Sequence, residues 1–126
     1  MFSTSYRLTT EYTAGDNWTI TNASAILCGN ILRCFFSGTR SETTTGNIAN
    51  ETVVSLTIYH EGKINGAMRN VFTQGSYGGI ATFVSSDGTC TEETLTFDVV
   101  LSAAAHDATS YNSYFVIPVK INLDAF

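Results

Sequence analysis

The chain has 126 residues and 13.6 kDa, enough for one core and too little for two independent domains. Apolar residues make up 44% and charged residues only 13%, which excludes disorder, and the remaining polarity is hydroxyl and amide: 19 Thr, 12 Ser and 9 Asn against two lysines. A net charge of -5, with Arg7, Arg33, Arg40 and Arg69 scattered, repels phosphate backbones and excludes nucleic acid as a partner.

No apolar run approaches the roughly 20 residues that span a bilayer. Met1 to Arg7 holds neither a basic leader nor an apolar stretch of signal type, so the expectation is a soluble chain without a signal peptide or membrane insertion. Three cysteines are an odd number and read as reduced thiols rather than a disulfide framework. Sequons at Asn17, Asn22 and Asn50 are no more than the Ser/Thr content yields by chance.

Period-two patterning runs through nearly every segment. Tyr6, Leu8, Thr10 and Tyr12 alternate along a first strand that ends at Ala14-Gly-Asp-Asn17, and Trp18 and Ile20 open a second. Ala25 to Phe36 is two apolar runs joined by Gly29-Asn30, chemistry that suits a type II′ hairpin turn pairing Cys28 with Ile31 and Ala25 with Cys34. Beyond the polar stretch 37–50, Glu51 to Tyr59 places Val54, Leu56 and Ile58 inward, and His60-Glu-Gly-Lys63 turns the chain. Lys63 to Gln74 reads as another strand, Gly75 to Gly79 as a loop and Ile80 to Val84 as a strand. Asp87-Gly88 is a second hairpin signal of type I′ chemistry. Leu95, Phe97, Val99 and Leu101 form an inward set, Ala103 to Ser113 a loop, and Ser113 to Leu123 a last strand with Pro118 on the outward parity, suited to an edge or bulge. The expected fold is all-β, an antiparallel β-sandwich of jelly-roll or Greek-key type with about eight or nine strands.

The Gly29-Asn30 register sorts the hairpin into two faces. Ala25, Leu27, Leu32, Cys34 and Phe36 share one side; Ile26, Cys28, Ile31, Arg33 and Phe35 share the other. Cys28 and Cys34 point oppositely, about 10 Å apart along the hairpin against the ~7 Å limit for a bridge. Both faces are apolar apart from Arg33, whereas an antiparallel sheet on a monomer normally keeps one wet face. The second face is covered either by a loop or strand of the same chain or by a neighbouring subunit, which makes Ile26, Cys28, Ile31, Arg33 and Phe35 the candidate oligomer interface.

Chemistry of catalytic type is thin. His60-Glu61 and His106-Asp107 put imidazole beside carboxylate, but chain neighbours rarely face one another. No Gly-x-Ser-x-Gly elbow occurs, Glu92-Glu93 reads as solvated charge, the cysteines lack zinc spacing, and the Gly75–Gly79 loop precedes a strand rather than a phosphate-binding helix N-terminus. Neither an enzyme nor a metal or cofactor site is expected. Aromatics near turns, beside Asp, Asn, His and Arg, suit a saccharide, which needs a flat apolar platform and hydrogen bonds. Tyr77, His106, Asp107, Tyr111 and Asn112 lead the ligand-binding candidates, followed by His60 and Arg69.

Through Trp18-Thr-Ile-Thr-Asn22, Cys28-Gly-Asn-Ile-Leu-Arg-Cys-Phe-Phe-Ser-Gly38 and Thr43-Thr-Thr-Gly-Asn-Ile48, the chain resembles the C-terminal receptor-binding heads of bacteriophage tail-fibre and baseplate proteins, with adenovirus fibre heads as a second similar plan. The resemblance is one of sequence style across most of residues 16–123. It implies a homotrimeric β-sandwich head over 16–126, with 1–15 as first strand or shaft junction, sited at a virion tip beside other tail components. Such a head binds a host-surface saccharide or protein without cleaving it. The alternatives are a cellular carbohydrate-binding lectin and a small glycan-cleaving enzyme.

Overall fold

A computed structural model describes residues 4–40, 51–67, 72–75, 81–85, 88–104 and 110–126. In it the alternating segments become β1 (Ser5–Ala14), β2 (Trp18–Cys28), β3 (Ile31–Arg40), β4 (Glu51–Tyr59), β5 (Ile64–Ala67), β6 (Phe72–Gly75), β7 (Ala81–Ser85), β8 (Thr89–Cys90), β9 (Thr94–Ala104) and β10 (Ser110–Ile121), then one 3-10 turn at Leu123–Ala125. The chain is all-β and its pairings are antiparallel.

Gly29 takes φ 60 while Asn30 stays at negative φ, the signature of a type II′ turn, and Cys28 pairs with Ile31 and Ala25 with Cys34 as the turn chemistry requires. β1, β2 and β3 form a meander and β4 returns beside β1, so the spatial order 4-1-2-3 is a Greek key. The sheet continues β4-β9-β7-β6-β10, and β10 pairs with β3 from Ser110↔Thr39 to Pro118↔Ile31. Eight strands therefore close on themselves, and the two layers of the expected sandwich are continuous at both edges. Closure gives each of these eight strands a partner on both sides and leaves only the short β5 and β8 with one, a solution suited to a chain with few charges to guard its edges.

The interior is the face that the periodicity selects. Ala25, Leu27, Leu32, Cys34, Val54, Leu56, Ile58, Leu95, Val99 and Ile117 are buried, and each fully buried Leu or Ile contributes about 1.5–3 kcal/mol. Cys34 lies in this core, Cys28 on the outward face, and all three cysteines are thiols.

Three local readings differ from the structure. Lys63 to Gln74 supplies two strands, β5 and β6, on successive stretches of β10: Ala67 pairs with Val119 and Thr73 with Phe115, six residues against four, so one uninterrupted ladder does not fit. Asp87 of the Asp87-Gly88 signal lies outside the described residues, and the strands on either side of it, β7 and β8, both pair with β9 rather than with each other. The tight turn lies instead at 91–94. There the Thr91 hydroxyl accepts from the Thr94 N–H at 3.0 Å and bonds the Thr94 hydroxyl at 2.7 Å, doing with a side chain what glycine does with φ. Tyr111 and Asn112 belong to β10, in register with Gly38 and Ser37, rather than to a loop.

The strand ends define two poles. Gly15–Trp18 and the strand ends flanking 41–50, 76–80 and 105–109 lie at one, because Trp18 pairs with Arg40, Ala81 with Ala104 and Ser113 with Gly75. Ser5, the Gly29-Asn30 turn, the 60–63 turn and the 91–94 turn lie at the other.

Candidate functional site

At the first pole, Arg40 ends β3 and Glu51 begins β4, so the chain between them starts and finishes on an ion pair. Arg40 donates from Nε to Glu51 Oε1 at 3.0 Å and from Nη2 to Oε2 at 3.1 Å, while Trp18 Nε1–H donates to Oε1 at 2.6 Å. Arg40 and Trp18 are buried. The guanidinium's hydrogen bond above all, with help from the indole N–H and against the pull of burial, holds the Glu51 carboxyl below the usual carboxylate range.

At the second pole, the 60–63 turn packs against the 91–94 turn. Glu61 and Gly62 both take positive φ, 55 and 79, and Lys63 N–H closes the turn on the His60 carbonyl at 3.0 Å. The His60 N–H donates to the Glu93 carbonyl at 2.8 Å. His60 itself is fully buried, which corrects its reading as a ligand-contact residue. The Ile64 N–H donates to Nδ1 at 3.3 Å, so Nε2 carries the proton and donates to the Thr91 carbonyl at 3.0 Å. The Cys90 thiol lies 3.9 Å from that same Nε2. A nitrogen that already holds a proton takes none from a thiol, and burial pushes the Cys90 thiol up, so the pair is a structural pin between two turns rather than a nucleophile and base.

These turns flank an open cleft of about 980 Å³ lined by residues including Thr9, Glu11, Tyr59, Asn65, Thr91 and Asn122. Glu61, Glu92 and Glu93 add to its acidic lining. Thr9 pairs with Tyr59 across β1 and β4, which puts Glu11 within reach of the Tyr59 hydroxyl; Tyr59 O–H donates to Glu11 Oε1. That hydrogen bond and the carboxylate's charge push the Tyr59 phenol up. Glu61 lies 3.6 Å from Lys63 Nζ. Glu92-Glu93 was the visible sequence signal; the approach of Glu11 and Tyr59 depends on β4 returning beside β1, which no local motif records.

The third feature is the outward face of β2, β3 and β10. Its rows are set by register: Ile26 beside Arg33 and Val116, Cys28 beside Ile31 and Pro118, Phe35 beside Tyr114. Ile26, Cys28, Ile31 and Phe35 are half-buried, and Arg33, Pro118 and Tyr114 are exposed. The Phe35 and Tyr114 rings stack at 5.5 Å between centroids. All five interface residues expected from the hairpin alone share this face, and β10 widens it with Tyr114, Val116 and Pro118. Patterning along one hairpin could not show that a strand eighty residues later would extend the patch.

Tyr77, His106, Asp107 and Arg69 lie outside the described residues. Tyr111 and Asn112 are placed by their backbones near the start of β10, at the first pole. Among the described residues, no three His, Cys, Asp or Glu side chains group to hold a metal ion, and no helix is long and apolar enough to cross a membrane. No family model, curated protein or solved structure matches the chain.

Proposed function

We propose that the chain is a non-enzymatic attachment module, the receptor-binding head of a viral particle. In this reading it is a phage tail-fibre or baseplate tip that works as a homotrimer with other tail components and grips a host-surface saccharide or protein. The observation that carries it is the apolar patch on the outward face of β2–β3–β10 toward the Gly29-Asn30 turn, at Ile26, Ile31, Phe35, Tyr114, Val116 and Pro118, broken there by Arg33 and giving way to Ser24, Ser37 and Thr39 toward the other pole. Association of copies gives that face a dry partner. The polarity of the fold supports the same reading: the strand ends at Gly75, Ala81, Ala104 and Ser110 lie opposite Ser5. A shaft joined at the Ser5 pole would leave the opposite pole, where Tyr111 and Asn112 start β10, facing the host.

The cleft favours a second reading, a cellular lectin, because Tyr59 offers an aromatic plate among Glu11, Asn65 and Asn122. An array of bacterial surface polysaccharides probed with the intact chain, run beside an assay for released reducing ends, separates the readings. Binding without release, weakened by Tyr77→Ala and unchanged by Tyr59→Ala, is expected. The reverse sensitivity would favour the lectin, and released reducing ends would make the chain a glycan-cleaving enzyme.

A further inference from the structure

Two adjoining faces of the barrel carry opposite chemistry. Near the Gly29-Asn30 turn the outward rows of β2, β3 and β10 combine apolar side chains with cations: Arg33 lies between Ile26 and Val116, and Arg7 on β1 continues that row beside Ile26. Ser24, Ser37 and Thr39 follow toward the other pole. No Asp or Glu occupies the described outward positions of those three strands. Two and four residues beyond Arg7 on the same face of β1 come Thr9 and Glu11, which already line the acidic cleft with Glu61, Glu92 and Glu93. The cationic band and the acidic cleft therefore meet along one strand.

We infer that the band and the cleft are the two halves of one head-to-tail contact, in which the apolar, Arg33-bearing face of one copy seats on the Glu-lined cleft of the next. The inference rests on the oligomeric reading above and specifies how the copies meet. A face-to-face contact of two bands sets the arginines of one copy against the arginines of the other, like charges in a drying interface. Band on cleft sets Arg33 and Arg7 against carboxylates instead, and repeated contacts of this kind close into a ring. Two of the six cations of this chain of net charge -5, Arg7 and Arg33, lie on the apolar strip, and the Glu-lined cleft is their charge complement.

The test is the mass in solution of the intact chain, by sedimentation velocity with light scattering, for four proteins of verified fold. The parent is expected to be an oligomer that weakens as salt rises. Arg33→Glu and Glu92→Arg/Glu93→Arg are each expected to weaken assembly at least about tenfold. An equimolar mixture of those two offers an intact band to an intact cleft and a reversed band to a reversed cleft, and is expected to restore assembly in mixed, alternating oligomers. The chain carrying all three changes is expected to reassemble. Should the parent assemble and Arg33→Glu dissociate it while Glu92→Arg/Glu93→Arg has no effect, the head-to-tail contact is wrong and the oligomeric reading survives. A monomeric parent overturns both. If Arg33→Glu fails to fold, Arg33→Gln with the same mass measurement takes its place.

Discussion

Glu51→Gln isolates the charge in the Trp18–Glu51–Arg40 cluster while keeping its shape. The carboxylate accepts two hydrogen bonds from a guanidinium that is 8% exposed, at 3.0 and 3.1 Å, and a third from the Trp18 indole at 2.6 Å. Hydrogen bonds to charged groups contribute about 1.5–3 kcal/mol each, but Glu51 keeps contact with solvent and the substituted amide retains one acceptor oxygen. The expected loss is therefore about 2–3 kcal/mol in urea unfolding at fixed protein concentration, or roughly 6–12 °C in Tm for a chain of this size. The sign with pH follows from the lowered Glu51 carboxyl. A group depressed on folding adds stability that is fully present above the ordinary glutamate range and is lost as pH falls through its folded value. The gap between parent and Glu51→Gln should be constant from about pH 6 to 8 and shrink below about pH 4. Arg40→Gln should cost a similar amount, and the double variant well under the sum, because both changes break the same pair. A Tm for Glu51→Gln within about 1 °C of the parent, or a gap undiminished in acid, would refute this account of the cluster.

Other positions give independent checks. Gly15→Ala would place a methyl 1.9 Å from the Thr52 carbonyl oxygen, so about 2–3 kcal/mol should be lost on urea unfolding unless that backbone moves. His60→Leu keeps the volume but takes hydrogen-bond partners from the Ile64 N–H and Thr91 carbonyl, and should cost about 2–4 kcal/mol; His60→Gln should recover part of it. The core thiol of Cys34, which burial pushes up, should resist alkylation until the chain unfolds. Retention of a native circular dichroism spectrum by Ile31→Asp, with loss of assembly, is expected of an outward residue; unfolding of a monomeric parent by the same change would place Ile31 in an intramolecular contact.

Much of the fold was legible because its information is local. Glycine at the first central position fixed the II′ turn, and that register decided which five residues face outward. Glu51 to Tyr59 matched its strand because Val54, Leu56 and Ile58 repeat by twos. The 91–94 turn was not legible, since hydroxyl bonding at Thr91 leaves no Gly or Pro mark. The cleft was hidden for a different reason: Glu11 and Tyr59 lie 48 residues apart and meet only through the Greek-key return of β4. His60 looked like a loop residue, yet packing of the 60–63 turn against the 91–94 turn buries it. The outward face was half visible, its β2–β3 part in the hairpin and its β10 part only after the sheet closes.

The apolar outward face of β2–β3–β10 carries the functional account, and the mass of the intact chain in solution tests it most directly. Sedimentation equilibrium at micromolar concentration should return about three times 13.6 kDa for the parent and the monomer mass for Ile31→Asp. A parent that holds at the monomer mass up to high micromolar concentration would contradict the account.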